Sequence, residues 1–328
     1  MKPHSNALCF RMNLPRPLTR VLRLVLAILP LLWIYSRVDL AGFRSALADV
    51  AWWTLPGVIA TNLAAMLLQG FRWWLLMRGF IPGISPGKAL SAHFKGLLYS
   101  IVLPTSAAQD VVRAAILSNA KDYPFVWGAT WVCRLMGLLV LAFFSTAGFF
   151  LIGSSQLPSR TAHVIFAAFA IVIMLLCLSF TKNATRRIRP LAARLLPERI
   201  LRVVDDIRQA IYLYHTRRKH LLGTFLLTIL VQMLVIAGPV IMLMGIVGRF
   251  YGAECLFFIP TIEIAVISIP LTPNGIGLRE ALLSLFLLTF LALTPEQLGV
   301  YVAFSLLGVF LRVVGLGPVV YEIFVKKD

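Results

Sequence analysis

The chain has 328 residues, of which 59% are hydrophobic and 13% charged, and its mean hydropathy is +0.87. Soluble domains carry roughly 25% charged residues, so the composition excludes an ordinary soluble fold and points to an all-α polytopic membrane protein. Thirty-one Lys and Arg against 13 Asp and Glu give a formal charge of +18. The basic residues collect at the ends of apolar runs, where they set topology and meet anionic inner-leaflet lipids rather than nucleic acid.

In chain order, residues 1–18 form a basic arm with Lys2, Arg11 and Arg16, expected in the cytoplasm. An apolar run over 19–36 follows. No small-residue cleavage site comes after it, so it reads as a retained first helix rather than a signal peptide. Further runs over about 52–78, 123–152, 161–181, 221–247 and 296–322 are each long enough to cross a bilayer. That makes about six full transmembrane helices. The stretch 182–220 holds eleven basic residues against Glu198, Asp205 and Asp206 and is expected on the cytoplasmic side. From 191 to 214 it spaces Leu195, Ile200, Val204, Ile207 and Ile211 for a basic amphipathic helix on the inner leaflet; a topology signal without specific lipid contact fits equally well. Lys326 and Lys327 place the tail, 323–328, inside as well.

Two apolar regions, about 88–120 and 254–293, are interrupted by prolines, glycines and charges. The charge-based topology closes only if each returns to the side it entered from. Both therefore read as re-entrant helical hairpins, allowed at membrane depth where they are buried in protein or line a cavity. Aligning Pro104 with Pro270 places Arg113 on Arg279. Residues 52–152 and 221–322 then read as inverted repeats within one domain, 19–322, a plan that puts binding sites at broken helices near the midplane.

Charged groups at that depth cost about 2.5–3.5 kcal/mol each on insertion scales, so each is a candidate for function. The candidates are Asp110 and Arg113 in the first hairpin, Glu263, Arg279 and Glu280 in the second, and Arg72 and Arg134 in full spans; His93 and Lys95 lie in the first half-helix of the first hairpin. Arg134 lies about 15 Å into its helix at 1.5 Å per residue. Helices starting at Asp110 and just after Gly277 would aim N-terminal N–H groups inward, a setting that binds phosphate, with Gly275 and Gly277 allowing close approach and Asn274 shaping the turn. The same charges also fit a structural reading: Asp110 with Arg113, and adjacent Arg279 with Glu280, as ion pairs, Asp110 as a helix cap, and Arg72 and Arg312 snorkelling to the interface.

Four cysteines without a CxxC pair and five histidines without close spacing give no metal or disulfide pattern, and neither a P-loop nor a GxGxxG stretch occurs. No cofactor is expected.

Four stretches carry a family resemblance: FRWWLL (71–76), LPTSAAQDVVRAAIL (103–117), CRLMGLLVL (133–141) and IPLTPNGIGLREALL (269–283). The chain resembles the flippase-like transmembrane domain of the lysylphosphatidylglycerol synthase family, without the soluble aminoacyl-transferase domain of its full-length members. Arg72, Asp110, Arg113, Arg134, Pro273, Gly275, Gly277 and Glu280 fall on positions the family emphasises. Ala108 and Gln109 depart from its usual glycine pair, and Cys133 stands where an acidic residue often precedes the arginine. The resemblance implies a lipid flippase or transporter, not an enzyme, in a bacterial inner membrane, acting on a glycolipid, hopanoid or polyprenyl-linked headgroup. A lipid-modifying enzyme and a scaffold for a lipid-biosynthesis partner are the rival readings, and oligomerisation is left open.

Overall fold

A computed structural model describes residues 16–103, 108–119, 121–153, 198–268, 272 and 275–324, with six further positions between 167 and 174. These residues form twelve α-helices and two 3-10 turns, with no strand among them. Helix α1 is Arg16–Tyr35 and α2 is Leu40–Ala48, started by Asp39, whose side chain accepts a bond from the Gly42 amide at 2.8 Å. The long helix α3 is Thr54–Arg78. Two short helices follow, α4 (Pro86–Val102), capped by Ser85, and α5 (Ala108–Leu117), and then α6, Tyr123–Ile152. Helix α7 is Glu198–Leu213, extended by a 3-10 turn over Tyr214–Thr216, and α8 is Arg218–Val247. A second short pair, α9 (Gly252–Ser268) and α10 (Leu278–Thr289), precedes α11, Pro295–Phe310. A 3-10 turn over Leu311–Gly315 leads into α12, Leu316–Phe324.

Four segments are long and apolar enough to cross a membrane: α3, α6, α8 and the continuous run Pro295–Glu322. They match four of the expected spans to within three residues at either end. Helix α1 covers the first expected run but is not among the four, and Arg16, Arg20 and Arg23 occupy its first two turns. The run expected over 161–181 lies largely outside the described residues. The two broken regions each form two helices shorter than the ~20 residues a span requires. Hydropathy does not reveal helix α2, because nine residues are too few to register as a span.

Helix α3 packs along α8, and each short pair leans on the other half of the chain: α9 on α6, and α4 on the turn 311–315 and α12. Bare backbone makes both contacts close. A Cβ at Gly148 would lie 2.4 Å from the Phe257 amide nitrogen, and one at Gly315 would lie 2.2 Å from the Phe94 carbonyl oxygen. Helices in lipid associate through such van der Waals contact rather than by escape from water. One buried cluster joins Leu243, Ile259, Leu287 and Tyr301; another joins Trp73, Leu76, Val126 and Tyr214.

Helix α7 is docked as well as amphipathic. Leu201, Ala210 and Ile211 are buried, α7 packs on α6, the Tyr214 hydroxyl donates to the Phe125 carbonyl at 2.9 Å, and Tyr123 donates to Asp206. Of the five residues expected to face lipid, Ile207 and Ile211 turn toward this core, Val204 is 45% exposed, and Leu195 and the Ile200 side chain lie outside the described residues. The inner part of the apolar face is satisfied by protein, so only part of it remains for a membrane.

Candidate functional site

The first short pair builds a charged cluster from sequence-local geometry. Helix α5 begins at Ala108, so Asp110 sits inside its first turn rather than capping it. Arg113 then lies one turn on, the spacing at which helical side chains meet. Its Nη2 is 2.7 Å from Asp110 Oδ1, while Arg134 of α6 donates from Nη1 to Asp110 Oδ2 at 2.8 Å. One carboxylate thus holds two arginines and ties α5 to α6. Arg113 is 3% exposed; its Nη1 lies 3.2 Å from His93 Nδ1, and its guanidinium stacks over Trp73 at 4.6 Å. An arginine has only protons to give, so His93 Nδ1 accepts and the ring proton sits on Nε2. Trp73 is itself fixed by donation to Thr130 at 3.0 Å.

Arg72 does not snorkel. It is 9% exposed and donates to Thr228 Oγ1 of α8 at 3.3 Å. Its position in the middle of the α3–α8 contact turns it inward, away from the helix end and the interface.

The second pair is arranged differently. Arg279 forms a two-point contact with Glu263, Nε to Oε1 at 2.8 Å and Nη2 to Oε2 at 2.9 Å, tying α10 to α9. Its neighbour Glu280 does not pair with it. Glu280 is 1% exposed and accepts from the Gly277 amide at 2.7 Å and from Ser305 at 3.4 Å. The N-terminus of α10, expected to present free N–H groups to a phosphate, therefore carries its own carboxylate. Gly277 has φ 83° and Gly275 φ 77°. The close approach that Gly277 permits is to protein: a Cβ there would lie 2.3 Å from the Ala27 carbonyl oxygen of α1. Asn274 and Pro273, expected to shape this turn, lie outside the described residues.

A cavity of about 210 Å³ lies among α3, α8, α9, α10 and α11 and reaches Leu97 and Gln109 of the first pair. Its charged lining is Glu263, Arg279 and Arg312, and its neutral polar lining includes Asn62, Gln69, Gln109 and Ser305. Arg312, expected at the interface, donates to Ser100 at 3.1 Å and faces this interior because the 3-10 turn 311–315 rolls it onto α4. Gln109 links the two regions, lining the cavity and approaching His93 Nδ1 at 3.4 Å. Asp110, Arg113, Arg134 and Arg72 surround His93 and Trp73 instead and do not line the cavity. Asn62 and Gln69 are not singled out by sequence reasoning, yet they are seven residues apart on α3, two turns along one face; that polar stripe in an apolar span is the available signal.

Residues 20–315, from α1 to the end of the turn after α11, match the model of the lysylphosphatidylglycerol synthase TM region. The chain belongs to this family. No curated protein and no solved structure matches it. The family assignment and the four spanning helices make this a multi-pass membrane protein with a lipid-related role. The match covers both short helix pairs, both charged clusters and the cavity between them; α12 lies beyond it.

Proposed function

We propose that this protein is a lipid flippase or transporter that moves a lipid with an anionic, phosphate-bearing headgroup across a bacterial inner membrane, through the cavity that Arg279 and Arg312 line. The observation that carries the reading is the charge of that lining: two arginines against one carboxylate, Glu263. Charges act over longer range and with greater strength in low dielectric than in water, so a net positive lining at membrane depth favours an anion. Arg279 presents a fork that already grips a carboxylate at two points, the geometry that also grips phosphate. Arg312 adds a second guanidinium from a different helix, and Asn62, Gln69 and Gln109 can meet ester oxygens or hydroxyls.

Size supports a headgroup rather than a whole lipid. An engineered cavity of about 150 Å³ holds benzene, so about 210 Å³ admits a phosphate with a small polar group while the tails stay in the bilayer. The two short pairs, each leaning on the other half, fit re-entrant hairpins in inverted repeats with both termini in the cytoplasm. Binding sites in such folds lie where broken helices meet. With neither a P-loop nor a GxGxxG stretch in the sequence, movement is passive or ion-coupled.

The test is reconstitution of the purified protein into vesicles that contain fluorescent phosphatidylglycerol, with an impermeant quencher added outside. The reading expects the protected inner-leaflet fraction to fall as protein density rises. A fraction that stays at the protein-free level at every density would overturn it, and conversion of the lipid only when a soluble donor is added would favour an enzyme.

A further inference from the structure

A second polar recess lies away from the cavity, on the other side of α4. A groove of about 730 Å³ runs between α4 and α12, with the end of α5 as its floor. Its walls are apolar at Leu90, Phe94, Ile116 and Pro318, and its charges are Lys88, Lys95 and Glu322. The volume falls within the range of sites that enclose small molecules, about 300–1,000 Å³. Helices α4 and α12 touch tightly at Gly315, where backbone meets backbone, and then part: a Cβ on either Gly317 or Gly87 would meet nothing within 4 Å.

We propose that this groove is a binding site for one anionic glycerophospholipid of the surrounding bilayer, with an acyl chain along the apolar walls and the phosphate between Lys88 and Lys95. The site does not depend on the transport reading, because it shares no lining residue with the cavity and uses α12, which lies outside the family match. Charge selects the occupant. Lys95 is 8% exposed and ion-paired to Glu322, whose side chain is 46% exposed, while Lys88 is exposed at the start of α4. Two ammonium groups against one carboxylate leave a positive charge beside an apolar trough, which matches a phosphate carried on a hydrocarbon chain and mismatches a zwitterionic headgroup. A nearly buried lysine at membrane depth is costly on its own. Glu322 relieves it from one side only, since an ammonium has three donors and can hold a phosphate oxygen at the same time. Ser91, also in the lining, adds a hydroxyl.

The experiment is native mass spectrometry of the full chain released from nanodiscs made of equal parts phosphatidylglycerol and phosphatidylcholine. The wild-type protein should retain phosphatidylglycerol in preference to phosphatidylcholine. Lys88→Gln combined with Lys95→Gln should lower that preference roughly tenfold, the loss of one charge-assisted contact. Glu322→Gln breaks the same ion pair but keeps the lysine, so its preference should equal or exceed that of wild type. Gly317→Leu fills open space in the groove without a clash and should lower retention of both lipids. Arg312→Gln, in the cavity, should leave retention in place. The proposal is overturned if wild type shows no preference, if Glu322→Gln loses as much as the lysine variant, if Gly317→Leu retains lipid as wild type does, or if retention disappears only with Arg312→Gln.

Discussion

The two short helix pairs carry the same residue types and put them to different use. In the first pair, Asp110 is shared between Arg113 and Arg134, so one carboxylate serves two guanidinium groups and bridges the pair to its neighbour α6. In the second, Glu263 serves Arg279 alone and the bridge stays inside the pair, while a second carboxylate, Glu280, is spent on the helix start at Gly277. The first cluster has its aromatic and imidazole partners packed around it; the second opens onto the cavity. The difference teaches that a matching proline and arginine nine residues apart fixes where a charge sits along a broken helix, not what it faces. Neighbouring helices decide that, and they make the first cluster chiefly a structural joint and the second a surface a ligand can reach.

If that contrast is right, the largest stability effect belongs to the first pair. Asp110→Asn strands two arginines and should cost about 2–4 kcal/mol, below the full value for a buried pair because Asp110 is partly accessible. A thermal melt of the solubilised protein measures it, and a melt unchanged from wild type would break the contrast. Gly277→Ala should follow at about 2–3 kcal/mol, since the new methyl meets the Ala27 carbonyl at a backbone angle that side chains resist. The same assay reads it, and tolerance of alanine would mean that α1 does not brace this turn. Glu280→Ala should cost about 1–2 kcal/mol through the lost cap and Glu280→Gln less, because an amide oxygen still accepts from Gly277. If Glu280→Gln instead abolishes lipid movement with an unchanged melt, Glu280 is a ligand-handling group and its capping role is secondary. The smallest effect is expected for Arg134→Lys, under about 1 kcal/mol, because charge is kept and one of two donors to Asp110 remains.

Hydropathy and charge bias make the four long spans and both breaks legible in the sequence. Those signals are local: an apolar run of bilayer length, a proline, a cluster of basic residues. The partners of the buried charges are not legible there. Adjacent Arg279 and Glu280 invite pairing in sequence, but successive helical residues point about 100° apart, and Glu263, sixteen positions back on α9, takes the arginine. Arg72 and Arg312 read as interfacial from their distance to a helix end, yet the α3–α8 contact and the 3-10 turn at 311–315 turn both inward. The cavity itself is assembled from side chains of at least five helices, most of them neutral and inconspicuous along the chain.

The central claim is that the positive charge lining the cavity handles the headgroup. It is tested most directly by comparing leaflet exchange of fluorescent phosphatidylglycerol and fluorescent phosphatidylcholine in vesicles bearing wild-type protein or Arg312→Gln, a change that keeps the Arg279–Glu263 pair in place. The account predicts faster exchange of the anionic lipid by wild type and a loss of roughly tenfold in that rate with Arg312→Gln, the scale of one charge-assisted contact, while the melt stays close to wild type. Equal rates for the two lipids, or an Arg312→Gln protein that melts and exchanges as wild type does, would contradict it.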